Sequence, residues 1–171
     1  MKLSFSSEIN KNVVFDSIEN FLLENNFNII TKDPERPWGG FFVIKETQAD
    51  VFINFFFSSL STTDLNTTNK LSPKILVVQP GKRLSWQYHF RRAELWKVVA
   101  GRVGIIRSDT DEEAEMKTYN PESIIKLKQG ERHRLIGLKT WGIVAEIWQH
   151  TDKNNPSDED DIIRLQDDYG R

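Results

Sequence analysis

Two periods divide the chain. Over residues 11–26, Val14, Ile18, Phe21, Leu22 and Asn25 fall along one side at helical spacing, with acidic and amide side chains between them. This predicts one long amphipathic helix. It runs out in the sequence Asn25-Asn26-Phe27-Asn28, and a short strand through Ile29 to Thr31 is expected behind it. Beyond that point the period falls to two. Segments 40–46, 50–57, 74–79, 84–90, 94–100, 102–108, 123–127, 132–137 and 142–149 are short, rich in Val, Ile, Phe and Trp, and separated by Gly, Pro, Asn or Asp. Many short strands with turn residues between them predict a mainly β sandwich or barrel carrying an N-terminal helix. The Ser/Thr-rich tract over 58–72 reads as an exposed loop. The acidic end of the chain also carries Ile162, Ile163, Leu165 and Tyr169, which a purely solvated tail has no use for, so it is expected to dock on the barrel.

Composition narrows the function. At 171 residues one domain is expected over 1–171, with a helical extension at 1–35, a barrel at 36–157 and a docked terminal segment at 158–171. The chain has no cysteine, which removes disulfides and thiolate metal sites and fits a reducing cytoplasm. A net charge of −2 gives no field for nucleic acid, and no apolar run has the length of a membrane span. A small ligand is the expected partner, with a homodimer through strand edges as a second expectation.

One stretch concentrates chemistry. Gln87 and His89 are two apart and share a face of a strand, and Glu94 reaches them from the returning strand after a turn at Arg91-Arg92. Gly81 and Gly101 bound this hairpin, and about thirty residues on, Gly130-Glu131-Arg132-His133 supplies a second histidine behind a glycine turn. Two imidazoles, a carboxylate and an amide oxygen suit zinc, iron, manganese, cobalt or nickel. Zinc is the first expectation.

The pattern of Gly81, Gln87, His89, Glu94 and Gly101, followed by Gly130 and His133, resembles the two cupin motifs. Glutamine in place of the first histidine is similar to phosphomannose isomerases. Arg36-Pro37-Trp38-Gly39 and the run from Asp160 to Arg171 resemble the entry and terminal motifs of the type II mannose-6-phosphate isomerase domain, which is often fused behind a mannose-1-phosphate guanylyltransferase. The resemblance implies a cupin jelly roll holding one divalent ion through Gln87, His89, Glu94 and His133. It departs at Leu95, where the family usually has His, and at Lys128-Gln129-Gly130, where a Pro-x-Gly turn is usual; both changes are expected to alter the pocket around the metal.

A metal-dependent aldose–ketose isomerase of a sugar phosphate is the function the resemblance implies. Such a reaction needs a base and a means of stabilising an enolate oxygen. Glu146, on the strand before Trp148, is the candidate base, and an apolar wall there would raise its pKa. Arg92, which matches an arginine of the family motif, is expected at the barrel mouth to hold phosphate. Arg164 and Arg171 of the terminal motif are expected to close over it. The alternatives are a metal-containing cupin that only binds or senses a carbohydrate, and a different cupin enzyme acting on activated sugars.

Overall fold

The computed structural model describes residues 3–60, 65 and 70–170. Helix α1 (Lys11–Glu24) starts where the Asn10 side chain accepts a hydrogen bond from the Asn12 backbone N–H at 2.8 Å. Its buried face is Val14, Phe15, Ile18 and Leu22. The chain leaves it through Asn26 at φ 62°, a left-handed conformation that asparagine tolerates better than most residues.

Strands β1 (Ile29–Asp33) and β2 (Gly39–Ile44) follow. Residues 50–57, expected as a strand, instead form helix α2 (Ala49–Phe56). Within that nearly continuous apolar run, Ala49, Phe52, Ile53 and Phe56 are the buried positions, at a spacing of three and four; a short apolar run does not by itself distinguish a strand from a buried helix. Of the polar tract behind it, residues 61–64 and 66–69 lie outside the described residues.

The remaining strands are β3 (Lys74–Val78), β4 (Trp86–Tyr88), β5 (Arg92–Ala100), β6 (Val103–Ser108), β7 (Lys117–Tyr119), β8 (Ile124–Leu127), β9 (Arg132–Gly137), β10 (Gly142–His150) and β11 (Ile163–Gln166). They make two antiparallel sheets, one in the order β1-β2-β3-β10-β5-β8 and the other β11-β4-β9-β6-β7. Strand β1 belongs to the first sheet although it lies in the segment expected as a helical extension. The terminal segment docks through β11, which pairs with β4.

The six-stranded sheet is covered on both faces. On β10, Ile143, Ala145 and Ile147 pack beneath α1 and α2, while Val144 joins Trp96, Val98, Ile105 and Leu135 in a second cluster between the sheets. Because side chains alternate along a strand, Glu146 and Trp148 share the inner face with Val144. The same rule places Arg92, Glu94, Trp96 and Val98 of β5 inside and Leu95 outside, in the cluster under the helices. Gly101, at φ 69°, makes the β5–β6 turn against the Trp141 carbonyl, which a Cβ there would meet at 2.1 Å.

Candidate active site

Three polar side chains converge between the sheets. His133 stands on β9 and His89 just past β4, both from the five-stranded sheet, and Glu94 faces them from β5. His89 Nε2 lies 3.1 Å from Glu94 Oε1, and His133 Nε2 lies 3.3 Å from Glu94 Oε2. All three are buried. The turns that carry the histidines are tied together, since the Gly130 N–H donates to the His89 carbonyl at 2.9 Å and Gly130 takes φ 74°.

Backbone carbonyls fix the orientation of both rings. His89 Nδ1 lies 2.6 Å from the Asp161 carbonyl oxygen and His133 Nδ1 lies 2.9 Å from that of Glu131. A carbonyl only accepts, so each Nδ1 carries a proton, and the tautomer this selects for a neutral ring has its Nε2 lone pair toward Glu94. Lone pairs facing a carboxylate repel it unless a cation stands between them. Two of these buried atoms, Glu94 Oε2 and His133 Nε2, have no hydrogen-bond partner. The ligand atoms of His89, Glu94 and His133 all lie within 4.8 Å of one another, and their nitrogen and oxygen donors fit a divalent transition ion. Gln87 is the cross-strand partner of His133 and lines the adjoining cavity, with its amide oxygen accepting from Ser85 Oγ at 2.6 Å.

Arg92 does not stand at an open mouth. Its guanidinium is buried, donates from Nε to Glu94 Oε1 at 2.8 Å, and reaches Ser157 Oγ at 2.8 Å and the Asp158 carbonyl at 3.0 Å. A further nitrogen lies 3.2 Å from His89 Nε2, and the group stacks 3.7 Å from the centre of the Trp148 ring. Burial lowers the His89 pKa, against the pull of Glu94, so the ring is neutral and suited to ligation. Burial would raise the Glu94 pKa, but positive charge around it, with the Arg92 guanidinium donating to Oε1, holds it well below the usual carboxylate range.

Beside the triad opens a cavity of about 400 Å³. Glu146 lines it from β10, buried, accepting from Trp96 Nε1 at 2.9 Å and from Trp148 Nε1 at 3.1 Å. Burial, reinforced by the negative charge of Glu94, pushes its pKa up to about 7; Lys74, Arg92 and the Trp96 bond oppose the rise. Arg164 on β11 lines the same cavity, whereas Arg171 lies outside the described residues. Leu95 and Lys128 do not line it. Leu95 turns to the helices by strand alternation, and Lys128 sits in an exposed turn, so the two departures from the family pattern do not reshape the cavity wall.

Lys74, Arg36 and Asp161 also belong to the site; Arg36 and Asp161 fall in the entry and terminal motifs without a role that the motifs assign, and nothing in the sequence marks Lys74. Lys74 and Arg36 line the cavity from β3 and the β1–β2 turn. Asp161 accepts from the Phe90 and Arg91 backbone N–H groups at 3.0 and 2.9 Å and from Ser157 Oγ at 2.6 Å, and so fixes the turn behind His89. Burial works against the charged form of Asp161, but these bonds hold its pKa below the ordinary value. Asp161→Ala keeps the carbonyl that orients His89 but frees the turn behind it, so it should weaken metal binding by up to about the 10- to 100-fold that losing an outer partner of a metal ligand costs. Competition against a chromophoric chelator measures it; an unchanged affinity would mean that β4 and β9 orient His89 unaided.

A two-sheet antiparallel barrel with this His–Glu–His cluster between its sheets defines a cupin. Residues 46–167 match the mannose-6-phosphate isomerase C-terminal family, and the chain belongs to that family. It is 38% identical over 98 residues to the xanthan biosynthesis protein XanB of Xanthomonas campestris pv. campestris, covering 57% of this chain and 19% of that protein. It is 27% identical to a mannose-1-phosphate guanylyltransferase of Salmonella montevideo over 90% of this chain and 27% of that one. The alginate biosynthesis protein AlgA of Pseudomonas aeruginosa is 32% identical over 74% of this chain and 24% of its own length. The chain thus spans about a quarter of these relatives or less. Among solved structures, the capsular polysaccharide assembling protein CapF of Staphylococcus aureus aligns with a TM-score of 0.52 at 15% identity, over 82% of this chain and 32% of that one. A point mutant of the Bacillus subtilis oxalate decarboxylase OxdC aligns at 0.54 and 11% identity, over 82% and 31%. At such identities the likeness is one of fold. Among the described residues no helix is long and apolar enough to cross a membrane.

Proposed function

We propose that this chain is a metal-dependent aldose–ketose isomerase of a sugar phosphate, of the mannose 6-phosphate type, working in the cytoplasm. The observation that carries the reading is Glu146. A buried carboxyl with a pKa near 7, in the same cavity as a His–Glu–His cluster, is what proton abstraction beside a carbonyl requires of a base at neutral pH. In the aldose-to-ketose direction Glu146 takes the C2 proton and returns it to C1, while the hydroxyl proton passes from O2 to O1. The indole N–H groups of Trp96 and Trp148 hold the two carboxylate oxygens in place for both transfers. A divalent ion held by His89, Glu94 and His133, with Gln87 beside them, would supply Lewis-acid stabilisation of the charge that develops on the substrate oxygens. Arg92 keeps Glu94 ionised and oriented. Zinc is the first candidate.

The test is solvent exchange. Metal-replete protein incubated with mannose 6-phosphate in deuterium oxide should place deuterium on the isomerised carbons, read by NMR or mass spectrometry. A protein that binds the sugar but neither turns it over nor exchanges the C2 proton is a carbohydrate-binding cupin instead.

A further inference from the structure

Lys74 is a lysine on an interior strand, buried with the rest of β3. It sits on the inner face of the six-stranded sheet, as the cross-strand partner of Glu146 on one side and of Val43 on the other. Its side chain is 7% exposed, with the ammonium 4.2 Å from the centre of the Trp148 ring and 5.7 Å from that of Phe41. Its anionic partner is Glu159, in the loop before β11, whose own side chain is 71% exposed. A buried ammonium needs a counter-charge, but this one comes from a carboxylate that loses little by returning to water. Glu159 also lines the cavity, as do Arg36 and Arg164.

We infer that Lys74, with Arg36 and Arg164 around it, is the subsite for the phosphoryl group of the substrate, and that Glu159 occupies it as an internal anion which the phosphoryl group displaces. The inference rests on the isomerase reading for the identity of the substrate, but the anion site stands on its own geometry. With Glu159 in place the cavity is lined by four cationic side chains and three carboxyl groups; with Glu159 gone the four face only two, and the larger excess of positive charge suits a dianion. Trp148 touches both groups, donating from Nε1 to Glu146 while its ring carries the Lys74 ammonium, so the anion subsite adjoins the base in one cavity. Displacement of Glu159 pulls on the segment whose Asp161 carbonyl fixes His89, which connects an occupied anion subsite to the metal centre.

The experiment is a titration of inorganic phosphate, mannose 6-phosphate and mannose into the metal-replete protein by calorimetry. Lys74→Met should weaken both phosphate-bearing ligands by about tenfold or more and leave mannose unaffected. Glu159→Gln should tighten both by about tenfold, because a site blocked by an internal competitor binds in proportion to the fraction of time it is open. Glu159 is on the surface, so this second variant keeps the test decisive if Lys74→Met fails to fold. The control is Glu122→Gln, which removes the same charge from a similar pair, an exposed glutamate on buried Lys97 that does not line the cavity. It should change neither affinity. Equal tightening in Glu122→Gln and Glu159→Gln would assign the effect to net charge and overturn the subsite, as would no tightening in Glu159→Gln or unaltered phosphate binding in Lys74→Met. Phosphate binding with the expected pattern but no proton exchange on mannose 6-phosphate would leave the subsite standing and remove the isomerase.

Discussion

Alanine at His133 should take the protein from about one divalent ion per chain to none above background in elemental analysis, and alanine at His89 should do the same. Each substitution removes one of two imidazoles and leaves Glu94 without the geometry that three converging donors provide. The loss should exceed the roughly 10- to 100-fold that an outer partner of a ligand typically costs. Stability gives an independent readout. An ion that binds only the folded chain stabilises it by about 2.7 kcal/mol at a hundred times its dissociation constant, so Tm of the wild type should rise with added zinc and that of either variant should not. Gln87→Ala should fall between wild type and these variants, since it removes a neutral donor whose oxygen already accepts from Ser85. Full metal occupancy in His133→Ala would sink the site.

The residues that form this centre were legible as a motif, because strand alternation and glycine turns are local signals. The spacing of Gln87, His89 and Glu94 puts them near one another, but the expected hairpin does not form: β4 and β5 pair within different sheets, so the chain crosses between them at Phe90-Arg91 and Glu94 meets the histidines face to face. The tail does dock, through the pairing of β11 with β4, but only part of its apolar content takes part: Tyr169 packs against the inner cluster and Ile162 lines the cavity, while Ile163 and Leu165 stay exposed. Strand alternation also contained the answer for Leu95. If Glu94 faces inward its neighbour faces out, so its departure from the family pattern falls under the helices and not in the cavity.

What stayed hidden depends on contacts between distant segments. Lys74 looks like the start of an ordinary apolar strand, KILVV, and only the pairing of β3 with β10 sets it beside Glu146. Arg92 reads as a turn arginine from its place next to Arg91; burial follows from β5 beginning at that residue, which turns its side chain inward with Glu94. Residues 50–57 had the composition of a strand and the burial pattern of a helix, and the packing of α2 beside α1 on the outer face of the sheet decided between them. The orientation of Asp161 toward the turn at Phe90 and Arg91 spans some seventy residues, beyond any pattern of spacing.

Glu146→Gln should lower kcat by about 10²- to 10⁴-fold with little change in KM, because the amide keeps the size of the side chain but cannot take a proton. The pH dependence carries the sharper signature. As a base Glu146 works ionised, so kcat/KM of the wild type should rise through the neutral range and level off above it. Stability should move the other way. The folded pKa of about 7 lies above the ordinary 4.5, so between those values the folded chain holds a proton that the unfolded chain has released, and the contribution of Glu146 to stability declines as pH rises through that window. Glu146→Gln should flatten this part of the stability profile. Since the negative charge of Glu94 is one cause of the raised pKa, a cation bound at Glu94 should draw the midpoint toward lower pH. The midpoint should therefore differ between metal-replete protein and protein treated with chelator, when the carboxyl of Glu146 is followed by isotope-edited infrared spectroscopy. A midpoint near 4.5 in the metal-free protein, or a Glu146→Gln enzyme with normal turnover, would make Glu146 a structural residue of the tryptophan cluster and move the search for the base to another group lining the cavity.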